Sequence, residues 1–197
     1  MIRVEEIGNK PRTTEETATL DRPLDHLLAC HRRIEERLAV LERAANHLED
    51  RRGEALTAIG NSIRFLDSNG VWHTADEEES VFPRIAGRIS EENRRFLQDL
   101  EAQHRDAEKH VEDLRAVYSL LISEGDARPD RELPQRFREA VAALCADYRK
   151  HIAAEDERLL PLARSALNEV ELKALSREMR IRRGLTAEAE RAERAAR

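Results

Sequence analysis

Apolar residues recur at alternating steps of three and four positions along four long segments of the chain. This spacing places them on one face of an α-helix, so each segment is predicted to be a helix with one buried stripe. The stripes comprise Leu24, Leu27, Ile34, Leu38 and Leu41, then Leu56, Ile59, Ile63 and Leu66, then Leu97, Leu100, Val111, Leu114 and Leu121, and finally Phe137, Val141, Leu144, Leu159 and Leu162. Helices whose stripes meet in this way predict an all-α, up-down-up-down four-helix bundle.

Turn-forming residues separate the four segments. Gly53 follows two arginines between the first and second helices, residues 87–90 separate the second from the third, and residues 125–130 separate the third from the fourth. Connections as short as these are typical of antiparallel neighbours in a bundle.

The remaining residues lie at the two ends of the chain. Residues 1–22 are polar and aperiodic, and they are predicted to form a flexible tail ahead of a bundle that spans residues 23–165. Residues 166–197 are expected to form an additional C-terminal helix followed by a charged tail. The apolar residues Leu175 and Met179 of this helix are expected to pack outside the bundle or against a partner.

The composition agrees with long helices. Charged residues make up 38% of the chain and aromatic residues 4%, while 7 Gly and 6 Pro are too few for the turns of a sheet-rich fold. The formal net charge of −6 disfavours binding to nucleic acid. No apolar run approaches the ~18 residues of a membrane span, and the N-terminus lacks the apolar core of a signal peptide. We therefore expect a cytoplasmic protein with neither membrane nor nucleic acid as partner. Its oligomeric state is left open, a dimer included.

Six polar residues occupy positions in these stripes where leucine or isoleucine would be expected. They are His31, His73, Glu77, His104, His151 and Glu155. A buried charged group costs several kcal/mol unless it is paired or bound to a metal. Six such groups on four facing helices therefore predict a shared cation, that is, a metal site in the core of the bundle.

The chain also contains an internal repeat. The segments 73–83 and 151–161 both begin with HxxxE, continue with two acidic residues, and end with a proline ten residues after the histidine. Residues 27–31 and 100–104 are similar as well, so the first and second helical hairpins look like two copies of one unit. An HxxxE pair places an imidazole and a carboxylate on the same helix face. Two related copies supply two half-sites, which suits a dinuclear centre.

In order and spacing these motifs resemble those of hemerythrin-like (HHE cation-binding) proteins over roughly residues 23–165. The resemblance implies an up-down-up-down bundle that holds two iron ions, bridged by an oxo or hydroxo group and by two carboxylates. Carried over by position, Glu77 and Glu155 are the bridging carboxylates. The implied histidine ligands are His31 with His73 for one iron, and His104 with His151 for the other.

The third helix departs from the pattern of the oxygen-carrying hemerythrins, which have HxxxH there. The corresponding residues here read His104-Arg-Asp-Ala-Glu108. Glu108 is a candidate for the place of the missing histidine, and the alternative is an exposed side chain paired with Arg105 or Lys109. The fourth helix has HxxxE where the oxygen carriers have HxxxxD. The chain is therefore closer to the hemerythrin-like branch with the pattern H, HxxxE, H, HxxxE.

The other polar residues near these motifs are expected to lie outside the centre. His26 is predicted to lie at the surface or to cap the helix, and His47 and His110 are predicted to face solvent. A solvated acidic face, rather than metal ligands, is predicted for the residues beside the motif glutamates, namely Glu78, Glu79, Asp156 and Glu157. Tyr148 is expected to fill the core, with a hydrogen bond to the site as the alternative.

Imidazole and carboxylate ligands suit iron, manganese or zinc, so the residues alone do not choose the metal. The resemblance favours two iron ions over zinc or manganese. An anionic ligand at Glu108 stabilises oxidised irons, which favours reaction with peroxide, dioxygen or nitric oxide, or a response to redox state, over reversible oxygen carriage. Whether the protein is an enzyme is left open, with peroxide removal during oxidative stress as the candidate activity. The alternative is an iron- or oxygen-sensing or binding module without catalysis of its own.

Overall fold

The computed structural model describes residues 20–123 and 132–185. Within these two ranges most residues are helical and none forms a β-strand. Five helices are numbered here in chain order. Helix α1 is Pro23–Asn46, helix α3 is Glu91–Ser123 and helix α5 is Glu169–Arg182.

Helices α2 and α4 are each built from several consecutive segments. Helix α2 covers residues 52–88 as the α-helical segments Arg52–Phe65, Val71–Ala75 and Phe82–Ile85, the π-helical segments Leu66–Gly70 and Asp76–Val81, and the 3₁₀ turn Ala86–Arg88. Helix α4 covers residues 133–166 as the α-helical segments Leu133–Ala154 and Leu160–Ala166, with the π-helical segment Glu155–Leu159 between them. Two of these π segments carry the glutamates of the repeat, Glu77 and Glu155.

A proline follows each of these two π segments. Pro83 and Pro161 occupy the first turn of the α-helical segments that come next. Proline has no N–H to donate, and its ring crowds the carbonyl four residues earlier, so a regular α-helix cannot run through it unchanged. The chain instead widens to i→i+5 bonding, with the carbonyls of Glu77 and Glu155 accepting the last wide bonds. The proline of the repeat thus accounts for a π turn at both glutamates.

The four long helices form a closed bundle, and the all-α, up-down-up-down fold expected from the sequence is confirmed. Helix α1 packs on α2 and α4, and helix α3 packs on α4 and α2. Each of these four helices therefore has two neighbours within the bundle. The side chains that point inward from all four meet along one axis.

Apolar side chains fill this bundle in two separate clusters. One contains Leu38, Leu41, Ile59, Leu114 and Phe137 among its fully buried members, and the other contains Leu27, Val81, Ile85, Leu100 and Leu159. Complete burial of each leucine stabilises the fold by about 1.5–3 kcal/mol. Along α1, Ile34 belongs to the first cluster and Leu27 to the second, and His31 lies between them. The same holds for the histidines of α2 and α3, so a polar layer separates two apolar clusters.

Helix α5 is the additional C-terminal helix expected from the sequence. It packs on α1 and on the segment Asp76–Val81 of α2. A capping box opens it: Asn168 Oδ1 accepts hydrogen bonds from the next helical N–H groups, and Glu171 accepts one from Asn168 N at 3.0 Å. At the other end of the chain, Leu20 is 1% exposed, so this residue of the expected tail lies against the protein, whereas Asp21 and Arg22 are exposed. The rest of that tail and residues 186–197 lie outside the described residues.

No helix in the described part of the chain combines the length and the apolar character that crossing a membrane requires.

Candidate metal centre

The six polar stripe residues meet in the layer between the two apolar clusters. Two groups of side chains each bring four ligand atoms within 4.8 Å of one another. The first group is His31, His73, Glu77 and Glu155, and the second is Glu77, His104, His151 and Glu155. Both glutamates belong to both groups, so the arrangement is a pair of half-sites that share two carboxylates.

Glu77 divides its two oxygens between the half-sites. Its Oε1 lies 3.9 Å from Nε2 of His31 and 3.6 Å from Nε2 of His73. Its Oε2 lies 3.5 Å from Nε2 of His104. One carboxylate therefore faces the histidines of both hairpins.

Glu155 is arranged in the same way. Its Oε2 lies 3.1 Å from Nε2 of His31 and 3.8 Å from Nε2 of His73. Its Oε1 lies 3.0 Å from Nε2 of His151 and 3.6 Å from Nε2 of His104. This is the geometry expected if both glutamates bridge two metal ions.

The donor atoms of these side chains point at one another rather than at protein partners. Within the described residues, buried atoms without a hydrogen-bond partner include both oxygens of Glu77, both oxygens of Glu155, and Nε2 of His104 and of His151. The Nε2 atoms of His31 and His73 lie 3.0 Å apart. Buried polar groups almost always have a hydrogen-bond partner. A cluster of buried oxygens and nitrogens without one therefore indicates a cation that all of them bind. Imidazole and carboxylate donors fit iron, manganese or zinc.

The pKa values reflect how closely these groups are packed. Burial, together with the charge of Glu155, raises the pKa of Glu77 to about 8. Burial also raises the pKa of Glu155, but the four histidines beside its oxygens outweigh this effect and hold that pKa well below its ordinary value. Burial lowers the pKa of His73 to about 4. Two carboxylates this close carry their charges together only if cations lie between them.

A second ring of polar side chains contacts three of the four histidines through Nδ1, the ring nitrogen that faces away from the centre. Nδ1 of His31 donates to Oδ1 of Asp156 at 2.6 Å, and Nδ1 of His104 donates to Oε1 of Glu78 at 2.7 Å. Nδ1 of His151 lies 2.9 Å from Oε1 of Gln103. Such partners fix the tautomer that leaves Nε2 free for a metal.

Two of these partners correct an expectation from the sequence. Asp156 and Glu78 are about one-third exposed, as a solvated face requires, but each is bonded to a histidine of the centre. The signal was present in the repeat, because both directly follow the glutamate of HxxxE. Gln103 carried no comparable signal.

The placement of His26 at the surface is wrong. His26 is 2% exposed, and its Nε2 lies 3.5 Å from Sγ of Cys30. It is covered because α1 has a second buried face, on which α5 packs. His47 is exposed, as expected, and His110 is half-buried, with Nδ1 lying 3.2 Å from Asp147.

Glu108 is the one sequence candidate that the structure does not bring to the centre. Its side chain is exposed, and it belongs to neither ligand group. The alternative pairing with Lys109 is not formed either, since Lys109 Nζ lies 3.0 Å from Asp106. Six of the seven candidates therefore converge, and the seventh lies one helical turn away.

A cavity of about 820 Å³ reaches the centre from the side of α2, α3 and α4. Its wall includes His73, His104 and His151, and Glu108 lies on the same wall. Tyr148 packs against the apolar cluster and lines the cavity, and burial raises the pKa of its phenol to about 12. The cavity therefore borders three of the four histidines, while Nε2 of His104 and of His151 stays buried beneath its wall.

Two comparisons with known proteins bear on this centre. The family model described as "Hemerythrin HHE cation binding domain" matches residues 22–163. A protein of Haemophilus influenzae that carries the name "Uncharacterized protein" is 25% identical over 171 residues, which is 86% of this chain and 94% of the relative. The matched residues contain all four histidines and both glutamates of the two half-sites.

Proposed function

The chain belongs to the hemerythrin HHE cation-binding family, and on this premise we propose that its bundle holds two iron ions bridged by Glu77 and Glu155. One observation carries the proposal. Each of these carboxylates directs one oxygen to the His31 and His73 side and the other to the side of the second hairpin. A single metal ion needs no such division.

The histidines supply neutral donors through Nε2. The hydrogen bonds from Nδ1 of His31 and His104 to Asp156 and Glu78 hold the rings in orientation and make Nε2 a stronger donor. Two histidines and one oxygen from each carboxylate give each metal position four protein donors. Four protein donors would leave room at each iron for a small ligand, as in other non-haem iron sites with open coordination.

The cavity supports dioxygen, peroxide or nitric oxide as the small partner. Irons held by these residues would supply one-electron chemistry to such molecules. Ile34, Leu66 and Ile152 contribute hydrocarbon to a cavity wall that also carries many charged side chains. The Tyr148 phenol is protonated at neutral pH, burial raising its pKa further to about 12, and it can donate a hydrogen bond into the cavity.

The first experiment is metal analysis of protein purified without added metal, together with an absorption spectrum. We expect close to two irons per chain and near-ultraviolet charge-transfer bands. One tightly bound zinc and no iron would contradict the di-iron proposal while leaving the bundle intact.

A second function, iron or redox sensing without catalysis, is supported by helix α5. This helix lies beyond the family match and packs on the segment that carries Glu77. Peroxide turnover by the iron-loaded protein separates the two functions. Turnover supports a peroxide-removing enzyme, whereas its absence in protein with full iron content supports sensing.

A further inference from the structure

Helix α5 docks on the bundle beside the centre through both apolar and ionic contacts. Leu175 and Met179 are completely buried in the apolar cluster at this end of the bundle. Ion pairs at 2.5–2.7 Å surround them, namely Arg84 with Glu178, Arg88 with Glu171, and Arg180 with Asp21. These contacts fix α5 along α2 and the start of α1.

The buried carboxylate of Asp76 on α2 binds two arginines of α5. Asp76 immediately precedes Glu77 and is 0% exposed. Arg182 Nη1 donates to its Oδ1 at 2.8 Å, and Arg183 Nη2 donates to its Oδ2 at 2.6 Å. Arg182 Nη2 also donates to Oγ of Ser80 at 2.6 Å, in the same π segment. Both oxygens of Asp76 are therefore held by guanidinium groups at the C-terminal end of α5.

This ion pair links the docking of α5 to the shape of the centre. A buried carboxylate that loses its partners is strongly unfavourable, so Asp76 stays in place only while Arg182 and Arg183 are docked. Asp76 and Glu77 are consecutive residues of the segment Asp76–Val81. Movement of Asp76 toward water therefore moves the backbone that aims the Glu77 carboxylate.

We propose that Asp76, Arg182 and Arg183 are positioning residues of the metal centre, through which α5 docking and metal binding at Glu77 strengthen each other. The inference rests on the proposed function, since it requires Glu77 to bind metal. Coupling between two such events is reciprocal: the factor by which docked α5 raises metal affinity is the factor by which metal stabilises docked α5. The C-terminal helix then reports whether the centre is loaded.

Amide hydrogen exchange in the wild-type protein is the first test. Metal-free protein is compared with protein loaded anaerobically with ferrous iron, and iron content is measured on the same samples. We expect exchange in α5 to slow on loading. Equal exchange in α5 with and without two bound irons would overturn the coupling and leave the proposed function standing. Failure to bind iron at all would instead overturn the proposed function.

Paired variants test the residues themselves by competition for ferrous iron with a coloured chelator. Arg182→Gln with Arg183→Gln is expected to lower iron affinity about tenfold or more. The double lysine variant keeps the charges and is expected to recover most of that loss. Arg177→Gln is the matched control, because it removes an exposed guanidinium of α5 and leaves Asp76 and its partners intact. If the glutamine pair loosens α5 but binds iron like wild type, the contact is structural only and the proposal is wrong.

Discussion

Asp156 on α4 accepts a 2.6 Å hydrogen bond from Nδ1 of His31 on α1. The internal repeat generates a counterpart, in which Glu78 on α2 accepts a 2.7 Å bond from Nδ1 of His104 on α3. In both cases a carboxylate of one hairpin holds a histidine of the other. The two copies of the repeat therefore complete each other's ligand sets, which ties the metal centre to the assembled bundle.

These two carboxylates give the first prediction. Asp156→Ala and Glu78→Ala should each lower iron affinity about 10–100-fold, because the histidine behind each loses the partner that fixes its orientation. Glu157→Ala, which changes an exposed residue of the same acidic run, should bind iron like wild type. Competition with a chelator measures all three. Equal losses in the three variants would indicate a general effect of negative charge rather than these hydrogen bonds.

The sequence predicted the bundle and six of its inward-facing polar residues because both follow from helical periodicity. A stripe position points to the core whatever residue occupies it, so the spacing of His73 and Glu77 was enough to place both of them there. The hydrogen bond from His31 to Asp156 could not be placed in this way, since it joins residues 125 positions apart. Asp156 lies off the apolar stripe of its helix, so periodicity alone predicts that it faces solvent.

Glu108 and Asp76 show two other limits of sequence reasoning. Glu108 stands one turn after His104, but α2 and α3 leave a cavity at that level, and its side chain lies on the cavity wall instead of in the centre. Asp76 sits in a run of four acidic residues and lies off the stripe that carries Glu77. Its burial depends on Arg182 and Arg183, more than 100 residues later, which periodicity does not connect to it.

The second prediction concerns thermal stability. Removing the metal from the loaded protein should lower the melting temperature by at least about 5 °C. A ligand present at 100 times its dissociation constant stabilises a fold by about 2.7 kcal/mol, and 1 kcal/mol corresponds to about 2–4 °C for a chain of this size. Melting curves with and without chelator check it. Coinciding curves would mean that the stripe residues do not bind the metal.

The third prediction is a pH dependence of the metal-free protein. Burial lowers the pKa of His31 and of His104, but the buried glutamates close to their rings outweigh this effect and raise the two pKa values to about 9 and about 11. A histidine whose pKa is raised in the folded state stabilises the fold fully at pH values below the ordinary histidine pKa of 6.5. This stabilisation is lost as the pH rises through the pKa of the folded state. Urea unfolding with chelator should therefore show lower stability at pH 9 than at pH 6.5, by about 1.4 kcal/mol per pH unit for each proton involved.

Metal binding should show the opposite dependence over the same pH range. Protons must leave the histidines before metal binds, so iron affinity rises with pH. Metal-free protein whose stability rises from pH 6.5 to pH 9 would contradict the contacts assigned to His31 and His104.

The fourth prediction tests the packing of α2 on α3. A methyl group at Gly60 would overlap the phenol oxygen of Tyr118, which donates to the carbonyl of Leu56 at 3.0 Å. Gly60→Ala should therefore destabilise the fold by about 1–3 kcal/mol, despite the better helix propensity of alanine. Gly53→Ala, at an exposed helical position with open space around it, should stabilise by about 0.4–1 kcal/mol. Chemical denaturation of both variants measures the change in the free energy of unfolding. Two changes of the same sign would argue against this helix contact.

The iron content of Glu77→Ala compared with wild type tests the central claim most directly. If Glu77 bridges two irons, its removal takes one donor from each half-site, and content should fall from about two irons per chain to about one or fewer. Glu157→Ala serves as the control and should keep both irons. A Glu77→Ala protein that remains folded and still holds two irons would contradict the bridging role of this carboxylate and the dinuclear centre built on it.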